Sequence, residues 1–399
     1  MSSRRVVFAA FVLACTTASC AAVLGFERLT EEAPDDGAID GSSDASRGDA
    51  TPDAASGPCT ELGIPPPPED AATGLAPPIL AALRLLDFGI EVDGGRPQIP
   101  GYNLDLTCSI DLASSSCTSK LLPTTFETHA KDKTSTGVDN AGFSLLEYIS
   151  RFSDVLSARA INEGIQDGRY GAVIRVDAWN GQPDDDGVEV DVFPAIGFNP
   201  RDDGSKPAFD DDDRWVLDSR FRVGGVLDAS TIKSDRAWVT GGQLVARFKE
   251  IVLPIVIDSD PKPFEIHVRD AIVTANVATS SDGKTVLRDG VVSGRWKTSD
   301  FLGEVRTIFI EDSNGLKNTV LCDPVPGATL IYEGVKAAVC DGRDIRSDSK
   351  DNAGEACDAV SAAARIEAYS VKSLGTFAAP LDGGLRCVDA AIPAGDDCP

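Results

Sequence analysis

The chain has 399 residues, 42% of them hydrophobic and 6% aromatic, and its 63 Asp and Glu against 37 Lys and Arg leave a formal charge of -26. Enough Val, Ile, Leu and Phe are present to bury a core, which excludes a wholly disordered chain. The acidic balance excludes nucleic acid as a partner, because a phosphate backbone is met by a basic stripe.

Arg4 and Arg5 precede the apolar run from Val6 to Ala14, and small residues follow up to Cys20. A cationic start before a core too short to span a bilayer reads as a secretory signal over residues 1–19. Two cysteines are placed to carry a lipid. Cys15 follows Val12-Leu13-Ala14, whereas Cys20 follows Thr17-Ala18-Ser19, with threonine where an aliphatic residue is usual. Parity favours Cys20. Lipidation there leaves Cys59, Cys108, Cys117, Cys322, Cys340, Cys357, Cys387 and Cys398, an even set suited to disulfides in an oxidising compartment. Neither Thr16 nor Ala21 is the aspartate associated with inner-membrane retention, so outer-membrane display is expected.

Residues 20–68 read as a lipid-anchored tether. From Glu27 to Asp53 the chain holds almost no large apolar residue and cannot offset the entropy of ordering, and Pro65-Pro66-Pro67-Pro68 adds a stiff spacer. Next come a short helix around Ile79–Leu86, whose Ile79, Leu80, Leu83 and Leu86 share a face, and a local disulfide from Cys108 to Cys117. A long helix follows over 141–163, with Leu145, Ile149, Phe152, Leu156 and Ala160 at helical spacing.

From Tyr170 the period switches to two. Arg175 and Asp177 alternate with Ile174, Val176 and Ala178, and Val188-Glu189-Val190-Asp191-Val192 repeats the pattern, so two half-buried antiparallel strands are expected. Further strands read at 243–248, 251–257, 264–277 and 285–296, the last two joined by the turn Ser280-Ser281-Asp282-Gly283. The fold class is therefore mainly β: a β-sandwich or jelly-roll-like set of antiparallel sheets with one or two packed helices. The sandwich domain spans 69–320. Ser299 is placed to cap a short helix with the stripe Phe301, Leu302, Val305, Ile308 and Phe309. Residues 321–399 form a cysteine-rich, disulfide-stapled segment that completes or flanks the sandwich. Its cysteine spacings are unlike the close pairs of zinc sites, and the pairing stays open.

The chain resembles a group of uncharacterised, cysteine-containing surface lipoproteins of Gram-negative gliding soil bacteria. The stretches that carry the resemblance are Cys20 to Phe26, Gly101-Tyr102-Asn103-Leu104-Asp105, Gly137 to Gly142, Trp179-Asn180-Gly181-Gln182-Pro183-Asp184-Asp185-Asp186 and Asp289 to Trp296. They span most of the mature chain, and none is a catalytic signature. The resemblance implies address and architecture; it brings no activity, substrate or site.

Histidine is nearly absent. His129 sits in a polar stretch and His267 on the solvent parity of a strand beside Glu265 and Arg269, neither with an obvious partner. No glycine-flanked nucleophile serine, phosphate loop or dinucleotide fingerprint occurs. Carboxylates are the abundant reagent. Asp184-Asp185-Asp186 and Asp210-Asp211-Asp212-Asp213 lie in loops where clustered oxygens could coordinate calcium, a hard cation plentiful outside the cell, or could simply face solvent. The stretch Asp132–Asp139 is a weaker calcium candidate. Trp179 and Trp215 flank the aspartate runs and could stack on sugar rings.

These features describe an exported, lipid-anchored envelope protein acting as a non-catalytic binding or structural surface module, with calcium as the candidate cofactor. Its expected partners are the membrane, through the lipid, and an extracellular glycan or envelope protein. The alternative is a carbohydrate-active enzyme of glycoside hydrolase type using paired carboxylates, with Glu189, Asp191 and Glu265 as candidates on polar strand faces.

Overall fold

The alternation at residues 172–192 folds as an antiparallel hairpin of β2 (Gly171–Asp177) and β3 (Asp185–Phe198), with Ile174 opposite Val192 and Arg175 opposite Asp191. The computed structural model describes residues 63–69, 74–88, 100–106, 117, 138–150, 156–200, 204–224, 229–256, 263–281, 283–310, 319–351, 354–379, 387 and 391–399. The signal, Cys15, Cys20, Cys59, Cys108, His129, residues 132–137 and the tether up to residue 62 lie outside them.

Three antiparallel pairings continue the meander. β6 (Arg236–Thr240) pairs with β7 (Gln243–Ile255), β7 with β8 (Phe264–Thr279), and β8 with β9 (Thr285–Lys297), all antiparallel. The last long strand, β12 (Ala359–Ser370), lies between β9 and β1 (Ile79–Asp87), and β1 in turn pairs with β2. The ring closes where β3 meets β6, Asp185 opposite Val239 and Val188 opposite Ala237, and β5 (Ile232–Lys233) prolongs that seam along β3. Around the ring the strands follow chain order, β1, β2, β3, β6, β7, β8, β9, β12, so the sheet is an up-and-down barrel. The expected mainly β class stands. Its facing layers come from one sheet closed on itself, not from two sheets laid together. β4 (Trp215–Asp218) extends the second half of β3, β13 (Thr376–Ala378) joins β4 in parallel, and β10 (Phe309–Ile310) and β11 (Thr319–Val320) form a separate antiparallel pair.

Inward parity is apolar throughout. Ile174, Val192, Leu244, Val273, Leu287 and Ile366 face one another around a residual cavity of about 70 Å³ lined only by apolar side chains. That is far below the roughly 300–1,000 Å³ of a pocket for a drug-sized ligand, so the lumen is packed core. Closure demands strong coiling, supplied at the shifts in register around Asp270 and Asp289, both with positive φ (45° and 51°). Gly290 and Gly294 serve the same end. A Cβ at Gly290 would lie 2.6 Å from the Thr274 carbonyl, and one at Gly294 2.5 Å from Val268 Cγ1.

Four helices flank the barrel among the described residues: α1 (Ala141–Ser150) lies against β12, α2 (Ala158–Gln166) against β1 and α3 (Thr298–Val305) against β8 and β9, while α4 (Pro326–Asp341) packs on α1 and α3. The single helix expected over 141–163 is therefore two, and Ser157 caps the second by accepting from the Ala160 N–H at 3.1 Å. Ser299 is not a cap: α3 starts at Thr298, after Lys297, with no side-chain capping bond. The expected stripe does bury, and Phe301 meets Trp296 edge-on at 4.3 Å where β9 runs into α3. Each such fully buried side chain contributes about 1.5–3 kcal/mol.

Ile79–Asp87 is a strand, not the short helix its spacing suggested. The proline run is laid on the barrel rather than held free as a spacer. Trp238 Nε1 donates to the Pro65 carbonyl at 3.1 Å and Thr240 Oγ1 to that of Pro66 at 2.8 Å. Cys117 bonds Cys357, which replaces the expected local bridge to Cys108, while Cys322 bonds Cys387 and Cys340 bonds Cys398. The C-terminal segment is thus stapled to α4 and to the stretch before it.

Candidate functional site

The aspartate run 184–186 lies at the β2–β3 turn, and its buried member is spent on the backbone. Asp185 accepts from the N–H of Asn180 at 2.5 Å and of Gly187 at 2.9 Å, while Asp184 Oδ1 accepts from Gly241 N–H at 2.9 Å and so ties this turn to the β6–β7 turn. The second run repeats the device. Asp213, 0% exposed, accepts from Phe209 N–H at 2.6 Å, from Asp210 at 3.3 Å and from Ala208 at 3.4 Å, and Asp210 Oδ1 accepts from Asp212 at 2.9 Å. Asp186, Asp211 and Asp212 are exposed. At the end of the weaker candidate stretch, Asp139 accepts from Leu104 N–H at 2.6 Å and Asp105 N–H at 3.2 Å, which fastens residues 100–106 to the segment that leads into α1. Short carboxylates that fold their own loops are the shared theme.

The two tryptophans part company. Trp215 is 0% exposed, wedged edge-on against Phe198 at 5.6 Å and tilted on Phe209 at 5.8 Å, so it offers no face to a sugar ring. Trp179 is half-buried, with Nε1 donating to the Gln182 carbonyl at 2.9 Å. Only Trp179 keeps part of its indole at the surface.

The sequence shows no obvious partner for His267; the fold gives it two. Nδ1 lies 3.1 Å from Glu250 Oε1 and Nε2 3.5 Å from Glu265 Oε2. Burial opposes its charge, but the hydrogen bonds and field of the two glutamates outweigh this and raise its pKa to about 9. Its hydrogen bond to Glu250 holds that carboxyl below the usual range. Burial pushes Glu265 up, and His267 and Arg220 together bring it below. Glu265 and His267 were legible as alternate positions of one strand. Arg220, whose Nη1 is 2.6 Å from Glu265 Oε1, and Glu304 of α3, whose Oε2 accepts from the Glu265 N–H at 3.1 Å, come from distant segments that no local pattern announces.

One ligand atom each from Glu265, His267 and Glu304 lie within 4.8 Å of one another, the one such group of three among the described residues. The group could hold a metal ion. A nitrogen donor suits zinc or its neighbours, whereas calcium takes oxygens. As folded, protonated His267 and Arg220 already supply the positive charge between these carboxylates, and a metal would have to displace that proton.

The candidate acid and base carboxylates are likewise matched to cations. Glu189 pairs with Lys233 at 2.6 Å. Asp191 pairs with Arg175, whose Nε also lies 3.2 Å from Asp177. Burial raises the Asp191 carboxyl above its ordinary value despite that partner. The Arg175 guanidinium thus lies between Asp177 and Asp191. No family model, curated protein or solved structure matches this chain.

Proposed function

We propose that the chain is an exported envelope protein, held by a lipid on Cys20, whose stapled barrel serves as a non-catalytic binding or structural surface module. The observation that carries this reading is the commitment of the strand-face carboxylates: Glu189, Asp191 and Glu265 each face a cation, and the lumen between the strands is filled. The three disulfides among the described residues suit an oxidising compartment, as does the signal-like N-terminus. The resemblance to surface lipoproteins agrees with display at the outer membrane. Calcium enters as a stabiliser of the aspartate loops, through the exposed Asp186, Asp211 and Asp212.

The test is fractionation of cells producing the full chain, with hydrolysis of a chromogenic glycoside panel measured on the purified protein. Cys20→Ala should move the protein from the membrane to the soluble fraction; unchanged retention moves the anchor to Cys15. Turnover of any glycoside that Asp191→Asn or Glu265→Gln abolishes would replace the module by an enzyme.

A further inference from the structure

Arg236 and Arg247 stand directly opposite each other on β6 and β7, and both are exposed. Like charges in cross-strand register repel, and a chain this acidic offers carboxylates in excess. Yet among the described residues neither arginine has an ion pair, while their neighbours Lys233 and Lys249 reach Glu189 and Asp235. A guanidinium pair without a carboxylate partner on such a protein points to an anion between them.

Two recesses meet at the pair and both are lined by it. The larger, about 450 Å³, has Leu104, Leu106 and Ile272 as its apolar wall. Leu106 is 48% exposed and held there at a φ of 59°. The smaller, about 180 Å³, lies between Trp238 and the docked Pro65–Pro67 run, with Arg236 stacked over the Trp238 ring at 5.5 Å. Other charges in the larger recess are accounted for. Arg295 is bound to Asp351 at 2.7 Å, Asp235 faces Lys249 at 3.9 Å, and Asp270 accepts from Ser349. Two arginines therefore stand against the single charge of Asp270.

We propose that this double recess binds an oxyanion carried on a compact apolar or ring-shaped body. The anionic group is gripped by the forks of Arg236 and Arg247, and the body seats on Leu104, Leu106 and Ile272. Guanidinium groups present paired donors that match carboxylate, sulfate and phosphate oxygens, and an anion between them turns the mutual repulsion of the two arginines into attraction to a shared ligand. The protein's own charge opposes such a ligand at long range. At physiological salt that field is screened beyond about 8 Å, so contact with the two arginines decides. The proposal deepens the binding-module reading and rests on it.

Calorimetric titration of the full mature chain tests it, with phenyl phosphate, phenyl sulfate and benzoate as probes, inorganic phosphate as the anion alone and phenol as the body alone. At least one of the three aromatic anions should bind saturably, at least about 10-fold tighter than inorganic phosphate and with phenol showing no saturation. Arg236→Gln and Arg247→Gln should each weaken it about 10-fold or more, with melting temperature unchanged or raised because a repulsion is removed. Leu106→Ser should weaken the aromatic anions and leave inorganic phosphate as before. Absence of saturable binding by all three anions overturns the site, as does binding that both arginine variants retain in full. Release of phenol from phenyl phosphate would instead defeat the non-catalytic reading, so the two failures are distinct.

Discussion

Cys117 is bonded to Cys357 across 240 positions of sequence. The bridge ties a segment ahead of α1 to the foot of β12, the strand that lies between β9 and β1 and joins the end of the meander to its beginning. Closing so long a loop removes much of the unfolded chain's freedom. Replacing both cysteines by alanine should cost about 2–5 kcal/mol and lower the melting temperature by about 4–10 °C. Calorimetric unfolding with the other bridges oxidised is the check. An unchanged melting temperature would mean that the pairings of β12 hold the ring without the bridge.

The aspartate loops should respond to substitution through the fold. Asp213→Asn leaves a buried amide in place of a carboxylate that gathers three N–H groups, and should cost about 1–3 kcal/mol. Asp211→Asn and Asp212→Asn, both at exposed positions, should fall within about 0.5 kcal/mol. Thermal unfolding of each variant in chelator and in millimolar calcium separates the roles. Turn-making gives the Asp213 loss in both buffers, whereas a calcium site adds a metal-dependent shift that Asp211→Asn or Asp212→Asn reduces.

What was legible in the sequence follows the exposure of each strand. β2 and β3 were read correctly because Arg175, Asp177, Glu189 and Asp191 mark the outer parity. β1 was not, because it is covered on both faces over most of its length. Without polar alternation its Ile79, Leu80, Leu83 and Leu86 satisfy helical spacing equally well. β12 went unread for a related reason. Its Ala-rich sequence has low β propensity, and the small side chains are needed where Ala362 and Ser361 take the close approach of Gly142 at the start of α1. Closure was invisible because the pairings of β1 with β12 and of β3 with β6 join strands far apart in the chain. The His267 network and the Arg236–Arg247 pair share that limit: each rests on register, which composition does not encode.

The two tryptophans that flank the aspartate runs should behave oppositely. Trp215→Ala empties a site walled by Phe198 and Phe209 and should cost about 3–5 kcal/mol. Trp179→Ala, at a half-buried turn position, should cost distinctly less. Urea unfolding gives the stabilities. Acrylamide quenching should be lost with Trp179 and kept with Trp215 removed, provided the latter variant folds. Equal losses of stability would show that the β2–β3 turn is as much a part of the core as Trp215.

His267 should make stability depend on pH in a definite direction. Its folded pKa of about 9 lies above the ordinary 6.5, so the charged ring's contribution is complete below about pH 6.5 and is lost as the pH rises through about 9. Glu250 and Glu265, held below their ordinary 4.5, contribute above that pH and lose their contribution as the pH falls through their folded values. The network's contribution to stability is therefore complete between about pH 4.5 and 6.5. Against His267→Gln, the native protein should be more stable by about 1–3 kcal/mol at pH 6. The two should converge by about pH 10, because a neutral imidazole between two carboxylates has no advantage over an amide. Denaturant unfolding of both proteins at half-unit steps of pH measures the difference. A gap that stays constant from pH 6 to 10 would show that His267 contributes by packing alone and that its two glutamates carry no linkage.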